Sequence, residues 1–378
     1  MKMKSLLLTS MLSLVAVSLG AAEKNSGPQR KVNGCCPPPC PCGVSVNDPD
    51  WLITPTVKPA RSGNECTGAY ITAEFIWWKT HLGGTEWIFD GFVDDGNDIV
   101  PEGTAPKPGH IRHADFEFQP GFKVGLGWLS PHDGWDVYAH YTWLHQKPET
   151  SRYTLKEGTG NLAIFGTVTP PDGAGANPEV IAAGLRWKQY FNVVDLELGR
   201  NFFISRYLTL RPHFGLKWAN IREHFSTEGA GEVGGTDFID YAQTFRQNMW
   251  GIGGRAGLDT VWRFTENWGI YGDIAGTALW SDFHVREFNK VQSLTDDVGP
   301  VVTLNTEEVV LQVIPVFEFA LGLQYMTWVG CNCDYYIQFS AGWEAQIWCD
   351  FNQLLYLHPT RSGNLSLHGL TAKAEFAF

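Results

Sequence analysis

Residues Asp115 to His145 read DFEFQPGFKVGLGWLSPHDGWDVYAHYTWLH, and the alternation in this stretch decides the fold. Phe116, Phe118, Phe122, Val124, Leu126 and Trp128 take even positions, with Asp115, Glu117, Gln119, Gly121, Lys123, Gly125 and Gly127 between them. After a turn, SPHDG, the phase restarts. Trp135, Val137, Ala139, Tyr141 and Trp143 fall on one face, and Asp136, Tyr138, His140 and Thr142 on the other. Successive side chains of a strand point to opposite faces, so the pattern predicts a β-hairpin. Each arm is about twice the usual strand length of ~5–6 residues. A soluble sandwich could use such a hairpin. A membrane barrel needs it, with lipid outside and water or packed polar groups inside.

Working outward, the same alternation recurs along most of the chain. Ala69, Ile71, Ala73, Phe75 and Trp77 oppose Thr72 and Glu74; Val194, Leu196 and Leu198 oppose Asp195, Glu197 and Gly199. Leu208 to Trp218, Trp250 to Trp262, Trp268 to Trp280, Leu311 to Leu323, Tyr335 to Trp343 and Leu370 to Phe378 repeat it. Polar connections are expected at about 80–114, 146–183, 226–244, 284–307 and 350–363. They alternate with short turns such as ISRY, RFTEN and GCNCD, a rhythm of long outer loops and tight periplasmic turns. The reading is an all-β, antiparallel transmembrane β-barrel over 67–378, with at least ten strands. Candidate extra pairs at Tyr153–Leu155 and Leu162–Phe165 leave the range at 10–16.

The tryptophans test this topology. Trp128, Trp135, Trp262 and Trp268 fall at short-turn ends, and Trp77, Trp143, Trp218, Trp250, Trp280 and Trp343 toward long-loop ends. All ten share the apolar face. Two aromatic belts are what amphipathic rings at two membrane interfaces produce.

Residues 1–22 read as a secretory signal. Lys2 and Lys4 precede an apolar stretch from Leu6 to Leu19, and Gly20-Ala21-Ala22 offers small residues for cleavage. Residues 23–66 form a Cys/Pro-rich periplasmic segment too poor in apolar residues to bury a core. No apolar run reaches the ~18 residues of a spanning helix. The net charge of −12 argues against nucleic acid, which needs a basic face.

The lumen-facing positions hold the candidate pore-lining residues Glu117, Lys123, Asp136, Asp195, Glu197, Arg211, Lys217, Arg255, Asp259, Asp273, Glu318, Glu344, Lys373 and Glu375. Charges of both signs facing water would tune ion passage. In a narrow barrel they would instead pair across the interior and close it, since eight strands are already filled by side chains. The pore is preferred because the lumenal Gly121, Gly125, Gly215, Gly251, Gly253, Gly322 and Gly342 leave room. Cleavage of the signal removes Lys2 and Lys4 and no acid, so the mature chain is more acidic and suggests cation preference.

Disulfide candidates are Cys35, Cys36, Cys40, Cys42, Cys66, Cys331, Cys333 and Cys349. All but Cys349 are expected on the periplasmic side. An exported chain favours disulfides over zinc, either linking neighbouring envelope proteins or lying within the chain. No metal or other cofactor is implied. GIGGRAG (Gly251–Gly257) mimics a dinucleotide fingerprint but lies inside an alternating strand, without the helix that motif requires. His110, His113, His132 and Asp133 sit on or near loops without a nucleophile–base spacing, so no enzyme is expected.

Three stretches, ITAEFIWWKT, FEFQPGFKVGLGWLSPHDGWDVYAHYTWLH and VVDLELGRNFFISRYLTLRPHFGLKWANIREHF, carry a family resemblance. The chain from about residue 69 resembles pore-forming outer-membrane proteins of the Legionella major-outer-membrane-protein type, with the related chlamydial major-outer-membrane-protein-like sequences. DLELGRN and LRPHFGLK are the most specific blocks. The resemblance implies an outer-membrane porin for ions and small solutes, disulfide-linked to other envelope proteins or assembled as a homo-oligomeric trimer, with no catalytic residues. The cysteine cluster does not match the family core. The terminal Phe378 looks like an assembly signal read by the barrel assembly machinery, delivering the chain to outer-membrane lipid. A non-conducting structural or adhesion barrel is the alternative.

Overall fold

The computed structural model describes residues 68–92, 110–114, 116–130, 135–154, 161–164, 179–205, 207–233, 237–265, 267–293, 301–329, 335–353 and 363–378. The signal, the Cys/Pro-rich segment, Cys331, Cys333, His132 and Asp133 lie outside these residues. The strands are β1 (Gly68–Leu82), β2 (Glu86–Phe92), β3 (Ile111–His113), β4 (Phe118–Leu129), β5 (Trp135–Thr154), β6 (Asn161–Ile164), β7 (Glu179–Arg200), β8 (Phe202–Phe203), β9 (Leu208–Val233), β10 (Asp237–Arg263), β11 (Trp268–Ser293), β12 (Val301–Val329), β13 (Tyr335–Asn352) and β14 (Gly363–Ala377).

Ten of these close a single antiparallel barrel in the order β10-β11-β12-β13-β14-β1-β4-β5-β7-β9, and the β9–β10 pairing completes the ring. The ends of the chain meet at β1–β14, where Tyr70 pairs with Ala377. Closure leaves no sheet edge, which hydrocarbon would not tolerate. The opening hairpin is β4–β5, with Phe122 opposite Trp143 and Trp128 opposite Val137.

The phase of every barrel strand agrees with the alternation. Phe122, Val124, Leu126 and Trp128 are exposed, as are Phe214, Leu216, Trp218, Phe319, Leu321 and Leu323. Leu208 to Trp218 spans about 25 Å along the membrane normal, at ~3.3 Å per residue and ~40° of tilt, the height of a barrel's apolar band.

Three expectations are corrected. The stretches 226–244 and 284–307 are mostly strand, since β9 runs to Val233 and pairs with β10 from Asp237, while β11 reaches Ser293. Above Trp218 the alternation continues with its polarity reversed. Ala219, Ile221 and Phe225 turn inward, while Asn220, Arg222 and His224 turn outward. Water replaces lipid outside at that height, so the apolar face belongs inside. Leu162–Phe165 adds no barrel pair: Asn161–Ile164 is β6, in a separate sheet β3-β2-β6. Tyr153 and Thr154 merely extend β5. Finally, regular outward alternation begins at Phe118 rather than Phe116. Phe116 is buried, with its ring 4.9 Å from that of Trp187.

Candidate functional site

The barrel interior collects the charged residues, and the strand register explains how. His140 lies opposite Asp195, and Asp195 opposite Lys217. Arg211 lies opposite Asp259, and Glu74 lies between Lys123 and Lys373. Cross-strand neighbours of opposite sign on one face attract.

Pairs around Arg211, Arg255 and Lys217 merge into one network, with Lys123 and Lys373 pairing beside it. Arg211 places Nη2 2.7 Å from Asp136 Oδ1 and Nε 2.9 Å from Asp136 Oδ2, a bidentate fork. Its Nη1 donates to Asp259 Oδ2 at 2.6 Å and to Glu197 Oε2 at 3.1 Å. Lys217 Nζ sits 2.6 Å from both Asp195 Oδ1 and Glu318 Oε1. Arg255 bridges Glu197 and Glu318. Lys123 donates to both Glu344 oxygens, at 2.6 and 2.8 Å. Lys373 lies 3.6 Å from Glu375, and Asp273 makes no ion pair among the described residues.

Thirteen of the fourteen proposed lining positions therefore face the interior. Glu117 is the exception. It precedes β4, is exposed, and presents its backbone carbonyl to Gln146 Nε2 at 3.0 Å. The strand phase does not extend that far, so parity misplaced it. Glu74, His140, His213 and Tyr271 also belong to the interior, and the parity that marks the others includes them.

The lumenal glycines do not leave room. A Cβ on Gly125 would lie 2.5 Å from both Thr72 Oγ1 and Tyr138 Oη, and one on Gly127 would strike the Tyr70 ring. Gly322 and Gly342 face each other across β12–β13, and Tyr271 covers both. The glycines accept neighbouring rings into the space.

Above the charged layer lies an apolar one. Ile76, Trp78, Phe191, Ala219, Ile221, Met249, Leu279, Phe283, Ile314, Val316, Trp348, Leu365 and Leu367 are buried as one cluster. Phe191 on β7 and Trp348 on β13 come from opposite sides of the ring order, yet their ring centroids are 5.6 Å apart in edge-on contact. The described side chains thus cross the lumen. Below this layer a cavity of about 240 Å³ is lined by Tyr70, Glu74, Tyr138, Tyr271, Asp273 and Lys373, among others. Its carboxylates outnumber its lysines and arginines.

Glu197, His213 and Asp259 each bring one ligand atom within 4.8 Å of the others. Arg211 and Arg255 already engage both carboxylates, so the trio works as part of the ion-pair network. Cys349, near the outer end of β13, carries a free thiol. The other seven candidate cysteines lie outside the described residues. GIGGRAG lies wholly within β10, without the strand–turn–helix context of a nucleotide site.

Residues 62–378 match the family described as the Legionella pneumophila major outer membrane protein precursor. No curated protein matches the chain. Among solved structures, the outer membrane protease OmpT of Escherichia coli is similar at 12% identity and TM-score 0.38, covering 85% of this chain and 99% of that one. A major outer membrane protein of Thermus thermophilus gives 13% identity and TM-score 0.31, covering 82% and 99%. A Pseudomonas aeruginosa FadL homologue gives 8% identity and TM-score 0.22, covering 82% and 90%. At such scores these structures add no argument to the topology described above. The family match and the closed barrel with its apolar outer band make this chain a β-barrel of the bacterial outer membrane.

Proposed function

We propose, from the premise that this chain belongs to the Legionella major outer membrane protein family, that it is a closed-lumen structural barrel of the outer membrane. The observation that carries the reading is the Phe191–Trp348 contact across the ring, embedded in an apolar layer. Hydrated ions would have to cross that mostly apolar layer with few polar partners, at the desolvation cost that excludes charges from protein cores. The network beneath it pairs lysines and arginines with carboxylates, which further neutralises the path. No catalytic role is proposed. His113 lies exposed in the small sheet and His110 just before it.

The test is single-channel recording in planar bilayers with purified, folded protein. The expectation is insertion without conductance steps. Regular steps from most insertions would overturn the closed-lumen reading.

A porin is the second reading, and the 240 Å³ cavity with its excess of carboxylates favours it. In that case conduction follows displacement of the apolar layer, and the current prefers cations. Disulfide linkage to other envelope proteins and assembly as a trimer are further proposals. Non-reducing electrophoresis without boiling reads both, since only the former multimers collapse with reductant.

A further inference from the structure

The outer wall above the upper tryptophan belt carries a row of basic side chains that plays no part in closing the lumen. Lys188 on β7 lies opposite His224 on β9, His224 opposite Arg246 on β10, and Arg246 opposite Arg286 on β11. All four point away from the interior; Arg246 and Arg286 are exposed. Arg222 stands two positions nearer the membrane on β9, Arg186 two positions further out on β7, and Lys290 four positions beyond Arg286 on β11.

Such an arrangement opposes barrel stability. Arg246 and Arg286 are like charges directly opposite on neighbouring strands, and they repel. The His224 imidazole is held below its ordinary value by partial burial first, then by Lys188, Arg246 and Arg186. The acid nearest the row is Glu307, whose Oε2 accepts from Arg286 Nη2 at 2.6 Å. Both side chains of that pair are more than half exposed, so the contact is screened and weak. Of the other acids on this wall, Glu228 and Asp240 lie further out, and Asp282 lies beside the belt.

The wall is also recessed here. A hollow of about 480 Å³ is lined by Thr244, Arg246, Arg286, Phe288, Lys290 and Asn305, among others. Three cations, a ring and neutral polar groups suit a phosphorylated sugar, because guanidinium groups take phosphate oxygens in pairs.

Height selects the source of that phosphate. Arg246 is four residues above Trp250, and Arg286 six above Trp280. At ~3.3 Å per residue and ~40° of tilt, the arginines stand about 10–15 Å above the interfacial rings and Lys290, at the top of the hollow, about 25 Å above them. The surface is continuous with the lipid-facing wall, at the level of headgroups and their first sugars. We propose that this hollow and the cation row above the belt bind the phosphate groups of the outer-leaflet glycolipid, with Arg246, Arg286 and Lys290 as the direct contacts. The bound phosphate offsets the repulsion along the row, whether or not the lumen conducts.

The test uses the purified full-length protein in detergent, with native mass spectrometry as the readout. Three probes are compared: phosphorylated lipid A, the same lipid after enzymatic dephosphorylation, and inorganic phosphate. The wild type should retain phosphorylated lipid at least about tenfold better than the dephosphorylated form, since charge-assisted hydrogen bonds are the strong ones. R246Q/R286Q should lose at least about tenfold in that binding. K79Q, on β1 across the ring from β10, should leave it unchanged. Heat-modifiable gel mobility reports folding, and K290Q supplies the same reading should the double variant not fold. Undiminished lipid binding by R246Q/R286Q, or by K290Q in that event, overturns the site. Equal binding of dephosphorylated lipid overturns the role of phosphate. Inorganic phosphate that excludes the lipid at equal concentration overturns the lipid assignment.

Discussion

Replacing Trp348 by alanine separates a filled lumen from a wet one. Trp348 is fully buried, with Phe191 at 5.6 Å, Phe351 at 6.4 Å and the Lys217 ammonium 5.9 Å from its ring. If these groups form a solid core, W348A should cost about 3–5 kcal/mol, the range for a buried aromatic truncated to alanine. The loss comprises transfer of the ring, the cavity it leaves, and roughly 0.5–1.5 kcal/mol for each edge-on aromatic contact. A ring lying on a water-filled wall would cost only about 0.5 kcal/mol, as surface substitutions do. Guanidinium titration of the folded barrel in detergent, followed by gel mobility, measures the difference. A loss of 3 kcal/mol is a shift of over a hundredfold in the folding equilibrium, at about 1.4 kcal/mol per tenfold. W343A, five residues away on the exposed outer face, controls for loss of a tryptophan in general. A W348A effect within about 0.5 kcal/mol of wild type would refute the filled-lumen argument.

Other predictions follow from the same interior. K217M leaves Asp195 and Glu318 without their shared ammonium and should destabilise the barrel by about 3–5 kcal/mol in the same titration, the cost of breaking a buried ion pair. The double variant F191A/W348A removes both sides of the contact that spans the lumen, so conductance steps absent from the wild type should appear in planar bilayers. Deleting Phe378, whose side chain is half exposed and whose amide donates to Ala69 O at 3.0 Å, should lower the inserted fraction severalfold in membrane fractionation. The barrel that does insert should keep its stability within about 1 kcal/mol, since one hydrogen bond contributes about that much.

Much of this was legible in the alternation. Period two from Phe118 to Trp143 placed each side chain of the hairpin on its observed face, and the two tryptophan belts located the membrane. The lumenal charges followed from parity. Glu117 failed because parity holds only while the strand is paired, and β4 begins one residue later. The extensions of β9 to β12 look like loops in the sequence because the lipid-type pattern stops at the belt. The alternation itself continues with apolar residues inward, so Phe225, Phe245 and Phe283 were available as a signal. Lumenal Trp78, Trp187 and Trp348 share the parity of the charged residues and mark where the interior turns apolar.

Alternation repeated along the chain, together with the rhythm of long and short connections and the two tryptophan belts, was enough to establish an all-β barrel, its membrane band and the identity of its inner face, because side-chain direction repeats every two residues whatever the strand pairs with. It could not decide whether the interior is open. That depends on the number of strands, on their stagger, and on whether side chains from opposite walls meet. A row of lumenal glycines looks like empty space along the chain. In the closed ring those glycines receive Tyr70, Tyr138 and Tyr271 from neighbouring strands, and Phe191 reaches Trp348 from the far side. Contacts between residues so distant in the chain exist only once ten strands have closed on one another, so only the tertiary structure sets these rings against one another inside the barrel.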